Sequence, residues 1–242
     1  MRLDKFLVAV GLGSRSQVKS LLKGKEIKVN GVVTSSPKVH INENLDQISY
    51  QEHTLVYEEF VYYILNKPKG YLSATQDKNS QTVLDLLDAQ AIQKKVFPVG
   101  RLDKDTHGLL LLTNNGQLAH ELLSPKKHVD KVYLAQVSGL MTDEDKLSFQ
   151  AGIPLSDHEC LPAQLDILDT NLERAESTVK ITIKEGKFHQ VKRMVSACGK
   201  TVTDLQRISM GPLSLDPDLQ VGQYRFLSEK EIEALLNLSQ VK

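Results

Sequence analysis

The 242-residue sequence lacks the features that mark several large classes of protein. It has no run of about eighteen apolar residues, the length that a membrane-spanning helix requires. Its N-terminal stretch MRLDKFLVAV has neither the long apolar core nor the cleavage site of a secretory signal. We therefore expect a cytoplasmic protein without a membrane span.

Cysteine is scarce, since only Cys160 and Cys198 occur, far apart in the chain. Such a pair indicates neither a disulfide framework nor a zinc site. The simpler interpretation is that both cysteines are structural thiols in a reducing compartment. The chain also lacks a phosphate-binding P-loop, a dinucleotide-binding glycine fingerprint, an HExxH motif and a nucleophile elbow. We expect neither a cofactor nor a metal.

Charge is balanced overall but segregated along the chain. Residues 1–45 hold eight lysines and arginines against three acidic residues, although the formal net charge of the whole chain is +0. Residues 184–211 hold six basic residues against two acidic ones, whereas residues 141–176 hold nine acidic residues against two basic ones. The basic segments favour a polyanionic partner, although a solvated charged surface gives the same counts.

The N-terminal segment predicts two short helices followed by a hairpin. Ser14 is placed to cap the second helix, and the string EIKVNGVVT alternates around Asn-Gly, a strong hairpin signal. Arg15, Lys19 and Lys23 are four residues apart, so a helix would place them in one basic ridge.

The rest of the chain predicts a larger domain of mixed helices and strands. We expect a small domain over residues 1–45, a linker over the weakly patterned residues 46–58, and the larger domain over residues 59–242. The string VLDLLDAQ predicts one helix, while STVKITIKEG alternates as a half-exposed strand. Because the elements show no regular βαβ repeat, we expect an α+β fold with a mixed, largely antiparallel sheet.

The stretch VGRLDKDTHGLLLLTNNG, residues 99–116, places charged side chains directly before a run of four leucines. The leucines predict a buried central strand. Asp103 and Asp105 are open to two interpretations: turn residues that serve the backbone, or part of an active site at the edge of a sheet. Taken alone, the composition favours the turn.

Five strings in order resemble a known family: KPKG (67–70), GRLDKDTHGLLLLTNNG (100–116), SPKKHVDKVY (124–133), GKFHQVKRM (186–194) and RISMGPLSL (207–215). Together they resemble the pseudouridine synthases, in the branch typified by the ribosomal small-subunit enzyme. The N-terminal string MRLDKFLVAVGLGSRSQVKSLLKGKEIKVNG resembles the S4-type RNA-binding domain that this branch carries. The resemblance covers nearly the whole chain.

This resemblance implies that uridine is isomerised to pseudouridine, which requires no redox step and no cofactor. Asp103 matches the catalytic carboxylate, acting as nucleophile or as base. Tyr133 matches the aromatic residue that stacks on the flipped target base. Lys192 matches the basic partner that keeps a partly buried carboxylate charged.

Further site residues follow from the same resemblance. The expected substrate-binding residues are Arg101, Leu102, His189, Gln190, Gly211 and Leu213. Gly211 and Leu213 are expected to wall the uracil pocket. The expected contacts to the RNA backbone, which position RNA without reading its sequence, come from Arg2, Lys5, Arg15, Ser16, Lys19, Lys23 and Lys28.

The implied partner is ribosomal RNA, and no membrane is expected. The string HQVKRM favours the small-subunit type, whose implied target is the uridine at position 516 of 16S rRNA, in free RNA or in an assembly intermediate. The alternatives are a 23S rRNA enzyme of the same branch, a non-catalytic RNA-binding or ribosome-assembly factor, and a glycoside-cleaving enzyme with a second carboxylate. We expect a monomer.

Overall fold

The computed structural model describes residues 1–240, and the chain divides into two compact units, Met1–Phe60 and the part that begins at Val61. Each unit has an apolar core of its own. No helix in the described part of the chain is both long enough and apolar enough to cross a membrane.

The first unit packs its helices on an antiparallel sheet of strand order β2-β1-β3-β4. Over residues 1–60, all of which are described, its elements are α1 (Leu3–Ala9), α2 (Arg15–Lys23), β1 (Ile27–Val29), β2 (Val32–Val33), β3 (Ile48–Tyr50) and β4 (His53–Leu55). Ser14 caps α2 as predicted. Its side chain accepts from the Gln17 N–H, and the Gln17 side chain accepts from the Ser14 N–H.

Residues 46–58 do not form the linker that the sequence predicts. Strands β3 and β4 lie inside this segment and extend the sheet, with Ile48 opposite Val29 of β1. Ile48 is 1% exposed because it reaches the core beneath the helices. Each of the two strands has only three residues, too few for an alternating pattern to show in a polar stretch.

The second unit is built on one large sheet of strand order β13-β5-β7-β11-β8-β10-β9, with β6 paired to β7 and β12 paired to β11. Its strands are β5 (Tyr62–Lys67), β6 (Phe97–Pro98), β7 (His107–Thr113), β8 (Lys131–Ser138), β9 (Gln164–Asn171), β10 (Glu176–Ile183), β11 (Thr201–Met210), β12 (Leu213–Ser214) and β13 (Tyr224–Phe226). Its helices are α3 (Ala89–Gln93), α4 (Gly116–Leu123), α5 (Asp143–Ala151), α6 (Gln190–Ala197) and α7 (Glu229–Gln240), with 3-10 turns at Val83–Leu86 and Pro125–Lys127.

Among the described strands of this sheet, β7 and β11 run parallel and the other pairs run antiparallel. The predicted α+β fold with a mixed, largely antiparallel sheet is confirmed.

Strand β7 is covered on both of its faces. Leu110 and Leu112 belong to the core on one face of the sheet, and Leu109 and Leu111 belong to the core on the other. All four leucines are 0% exposed. The run of leucines is unbroken because a strand buried on both faces has no solvent side to carry polar residues.

Gly108 lies where β7 begins to pair with β11. Its φ angle is +101°, and a Cβ atom there would collide with the carbonyl oxygen of Arg207. Glycine therefore permits the parallel pairing of the two strands at this point. That pairing anchors the end of β7 from which the preceding loop, residues 101–106, extends.

The string VLDLLDAQ does not form the single helix that its composition predicts. The 3-10 turn ends before Leu87, which is extended with φ −99° and ψ 173°. Asp88 then accepts a hydrogen bond of 2.9 Å from the N–H of Ala91 and starts α3 as its N-cap. An aspartate that can cap a new helix competes with continuation of the old one.

Candidate active site

Asp103 lies in the loop of residues 101–106, directly ahead of the buried leucines of β7. The Ser73 hydroxyl donates to the carbonyl oxygen of Leu102 at 2.9 Å and accepts from the Leu102 N–H at 3.1 Å. The Thr106 N–H donates to the carbonyl oxygen of Asp103 at 3.1 Å and closes a turn. The turn and the candidate site are thus the same segment, since the turn holds the Asp103 carboxylate at the end of a rigid strand.

Lys67 supports this loop from inside the protein. It is 0% exposed, and its Nζ atom donates to the carbonyl oxygens of Pro68, Asp103 and Thr106 at 3.1, 3.1 and 2.8 Å. Burial lowers the pKa of Lys67 to about 8, although the nearby Asp103 and Asp105 carboxylates act in the opposite direction. The KPKG string contains this lysine, but its sequence pattern indicated no role because burial is not visible there.

Lys192, on α6, joins that helix to the loop. Its Nζ atom lies 3.2 Å from Oδ2 of Asp103 and 2.6 Å from Oδ1 of Asp105. Burial disfavours the charged form of Lys192, but its hydrogen bonds to the two carboxylates outweigh burial and raise its pKa. The hydrogen bond from Lys192 in turn lowers the pKa of Asp105. The structure thus brings Asp103 and Lys192 together and adds Asp105 to the pair.

His189 and Gln190 stand at the start of α6 and face different partners. His189 Nε2 lies 3.7 Å from Oδ1 of Asp103. Gln190 is 3% exposed; its side chain donates to Glu185 at 2.7 Å and accepts from the Lys187 N–H at 3.0 Å. His189 is therefore placed beside the carboxylate, while Gln190 braces the loop that leads into the helix.

Tyr133 approaches Asp103 from the middle of the sheet. It lies on β8, opposite Ile181 of β10 and Arg207 of β11. It is 7% exposed, and it lines a cavity of about 50 Å³ together with Asp103 and Leu102. Asp103 thus shares a cavity with Tyr133 and an ion pair with Lys192, although the three residues lie in three separate segments of the sequence.

A larger cleft of about 1440 Å³ borders the same loop. Arg101, Leu102, Asp103 and His189 line both the cleft and the small cavity. The cleft is also lined by basic side chains, namely Lys69, Arg101, Lys104, Lys131, Lys184 and Lys187. These six outnumber the three carboxylates in the lining, those of Asp103, Asp105 and Glu185, and such an excess of positive charge suits a polyanion.

Lys131 is a second buried lysine that the sequence did not single out. It is 7% exposed, and its Nζ atom donates to the carbonyl oxygen of Val129 at 2.8 Å. Burial lowers its pKa to about 8, and the charge of Arg207 acts in the same direction.

Gly211 and Leu213 are not among the residues that line the cleft or the small cavity, contrary to expectation. Leu213 is 1% exposed and packs in the core on the opposite face of the sheet from Tyr133. The Gly211 N–H donates to the carbonyl oxygen of Asp130 at 2.8 Å, in the turn that folds β12 back on β11. This reversal, which the string RISMGPLSL does not reveal, directs Leu213 into the other core.

The first unit carries the predicted basic ridge on its surface. Arg15, Lys19 and Lys23 are exposed along α2, and Ser16 on the same helix is exposed as well. Lys5 is exposed on α1. These side chains are available to solvent and to a polyanion.

Two other basic residues of that unit are engaged by acidic neighbours. Arg2 pairs with Asp4 at 2.6 Å, and Lys28 pairs with Glu52. Each pair cancels much of the positive charge that the sequence count attributed to Arg2 and Lys28.

Three side chains of the kinds that bind metals lie close together next to Gln190. Donor atoms of His158, Cys160 and Glu185 lie within 4.8 Å of one another. Sγ of Cys160 is 3.7 Å from Nε2 of His158, and Glu185 accepts from the Leu161 N–H at 2.9 Å. Burial raises the pKa of Cys160, which favours the thiol over the thiolate that binds metals. We interpret the cluster as hydrogen-bonded support; the lack of a metal stays a prediction.

Comparisons with known proteins match both units of the chain. A model of the RNA pseudouridylate synthase family matches residues 61–197, and a model of the S4 domain matches residues 1–46. The chain belongs to the RNA pseudouridylate synthase family and carries an S4 domain. It is a pseudouridine synthase, an isomerase.

Several relatives match along the full chain. An RNA pseudouridine synthase of Bacillus subtilis is 44% identical over 97% of this chain and 98% of its own length. Ribosomal small subunit pseudouridine synthase A of Haemophilus influenzae is 38% identical over 98% and 100%. Ribosomal large subunit pseudouridine synthase B of Bacillus subtilis is 37% identical over 98% and 96%. A crystal structure of a pseudouridylate synthase superposes with a TM-score of 0.67 at 36% identity, covering 97% of this chain and 99% of the other.

Proposed function

We propose that this enzyme converts one uridine of ribosomal RNA to pseudouridine, at position 516 of 16S rRNA. The observation that carries the activity is that Asp103 and Tyr133 line one small cavity while Lys192 lies 3.2 Å from the Asp103 carboxylate. Relatives named for the small ribosomal subunit, at 36–38% identity over nearly the whole chain, support 16S rRNA as the substrate. A large-subunit relative at 37% identity makes 23S rRNA the second candidate.

The reaction breaks the bond between N1 of the base and C1′ of the sugar and forms a bond between C5 and C1′. The C5 proton leaves and N1 gains a proton, so the product is an isomer of the substrate. The Asp103 carboxylate, fixed by its loop, is the group placed to act on the sugar, by attack at C1′ or by removing a sugar proton. The Lys192 ammonium, 3.2 Å from Oδ2 of Asp103, supplies positive charge beside the reacting carboxylate.

The target base must leave its stack to reach Asp103. The small cavity of about 50 Å³ holds only a few water molecules, so a base can enter only if a lining side chain moves. Arg101 is exposed and lines both cavities, so its movement would open the way. The ring of Tyr133 then stacks on the base; such stacking contributes about 1–3 kcal/mol.

The exposed ridge of Arg15, Lys19 and Lys23 supports a second role, that of holding RNA phosphates. Because the ridge and the catalytic unit are one chain, phosphate contacts at the ridge raise the local concentration of RNA at the catalytic unit. We propose that the enzyme works as a cytoplasmic monomer, on free 16S rRNA or on an assembly intermediate.

The test is the release of tritium from 16S rRNA labelled at C5 of uridine, both free and bound to ribosomal proteins. We expect about one tritium per RNA with the wild-type enzyme and none with Asp103→Asn. Chemical mapping of the product then locates the modified uridine.

Each alternative gives a different result in this assay. Release only from 23S rRNA would move the proposal to the large subunit. Tight RNA binding without release from either rRNA would reject the proposed rRNA substrate.

A further inference from the structure

Phe188 is an aromatic side chain that the proposed reaction does not yet use. It is 71% exposed and lines the large cleft beside Asp103. Single exposed apolar residues are normal on a protein surface, so exposure by itself indicates nothing. Three further observations distinguish Phe188 from a chance surface residue.

First, one face of the Phe188 ring is already stacked. Its centroid lies 3.8 Å from that of His189, and the two ring planes differ by 16°. His189 has a left-handed backbone, with φ 50° and ψ 31°, and its side chain makes no cap hydrogen bond to α6. This uncommon conformation thus occurs at the residue whose ring stacks on Phe188, without a side-chain cap on the helix.

Second, the stack is tied to the catalytic carboxylate. His189 Nε2 lies 3.7 Å from Oδ1 of Asp103. The Asp103 carboxylate thus lies beside the His189 imidazole, and the imidazole stacks on the Phe188 ring. A nucleobase would stack on the other, open face of Phe188. The two protein rings would then set the distance between Asp103 and that base.

Third, exposed cations line the cleft that the ring borders. Arg101, Lys104, Lys184 and Lys187 are exposed and line the same cleft. A basic groove with an exposed aromatic ring is the arrangement that binds single-stranded nucleic acid, since cations hold the phosphates and the ring stacks a base.

The size of the cleft leaves room for more than the target nucleotide. Its volume of about 1440 Å³ exceeds the range of about 300–1,000 Å³ that is usual for one small ligand. Extrusion of the target uridine also deprives a neighbouring base of its stacking partner. A protein ring beside the cleft can replace that partner.

We infer that Phe188, stacked on His189, is a binding subsite for the nucleobase next to the extruded uridine. The inference rests on the proposed function to the extent that the substrate is an RNA with a target uridine. The ligand is a base of any identity, because every base has a face that stacks. The subsite therefore positions the RNA strand and does not read its sequence.

The test uses an RNA fragment around position 516 of 16S rRNA, with 2-aminopurine placed on either side of the target uridine. Stacking quenches 2-aminopurine fluorescence. We expect wild-type enzyme to quench one of the two positions, Phe188→Leu to lose that quench, and Phe188→Tyr to keep it. We also expect Phe188→Leu to raise KM about 5- to 150-fold, the range that one stacked base supplies, with little change in kcat.

Leu172→Ala is the matched control, since Leu172 is 77% exposed, apolar and absent from the lining of the cleft. Equal quenching by wild type and Phe188→Leu, or no quenching at either position by enzyme that binds the RNA, would overturn the subsite. Tritium release from the same RNA is scored separately. A quench that depends on Phe188 without tritium release would keep the subsite and reject the proposed target uridine.

Discussion

Nζ of Lys192 lies 3.2 Å from Oδ2 of Asp103, although 89 residues separate the two in the chain. The contact joins the start of α6 to the loop ahead of β7. Asp105 shares the same ammonium at 2.6 Å. A lysine can serve both carboxylates because its ammonium is a compact point charge with three donors.

Asp103→Asn should abolish catalysis and leave RNA binding nearly unchanged. The amide cannot act as nucleophile or base, whereas the backbone of Asp103 keeps its hydrogen bond from Lys67. We expect kcat to fall by at least about 10²-fold. Tritium release under single-turnover conditions measures the loss of activity. Asp169→Asn is the control, since Asp169 is exposed. Retention of a tenth of wild-type activity would remove Asp103 from the chemistry.

Lys192→Met should lower kcat and raise the pKa of Asp105. The hydrogen bond from Lys192 is the main cause that lowers the Asp105 pKa, so its loss moves that pKa back toward the usual value. Carboxyl carbon NMR over a pH titration follows Asp105 directly. Lys192→Arg keeps the charge, so it should retain part of the wild-type kcat and part of the lowering of the Asp105 pKa. An unchanged Asp105 titration in Lys192→Met would contradict the contact between Lys192 and Asp105.

The free energy of unfolding should rise with pH above about 8, as buried Lys131 loses its proton in the folded protein. Its folded-state pKa of about 8 is below the unfolded value, so the unfolded chain binds more protons between the two values. The cost of burying the charged lysine is thus present at neutral pH and disappears as the pH increases.

Urea unfolding of wild type and Lys131→Met measures this effect. Between pH values of about 7.5 and 9.5, the free energy of unfolding of wild type should rise by about 2 kcal/mol relative to the variant. Parallel pH profiles for the two proteins would show that Lys131 titrates normally in the folded state.

Lys19→Ala combined with Lys23→Ala should weaken RNA binding through phosphate contacts. We expect the slope of log affinity against log salt to fall by about 1–2, since each lost contact removes about 0.7–0.9. The kcat at saturating RNA should stay unchanged because the ridge is not part of the catalytic unit. Filter binding at several salt concentrations measures the slope, and Lys230→Ala on α7 is the control; equal slopes would contradict the ridge.

Features with a local period were predictable from the sequence. The cap of α2 at Ser14, the unbroken leucines of β7 and the mixed sheet follow from spacing and composition. Asp103, Tyr133 and Lys192 were named by the resemblance of their strings to a known family; taken singly, each residue allowed a purely structural interpretation.

Contacts between distant segments were decided by the tertiary structure alone. Nothing local marks the three-residue strands β3 and β4 inside residues 46–58, and nothing in RISMGPLSL shows that Leu213 turns away from the cleft. The burial of Lys67 beneath the active-site loop and the stacking of Phe188 on His189 are likewise invisible in the strings that contain them. A local pattern reports only which face of an element is apolar, whereas burial and pairing depend on which other segment covers that face.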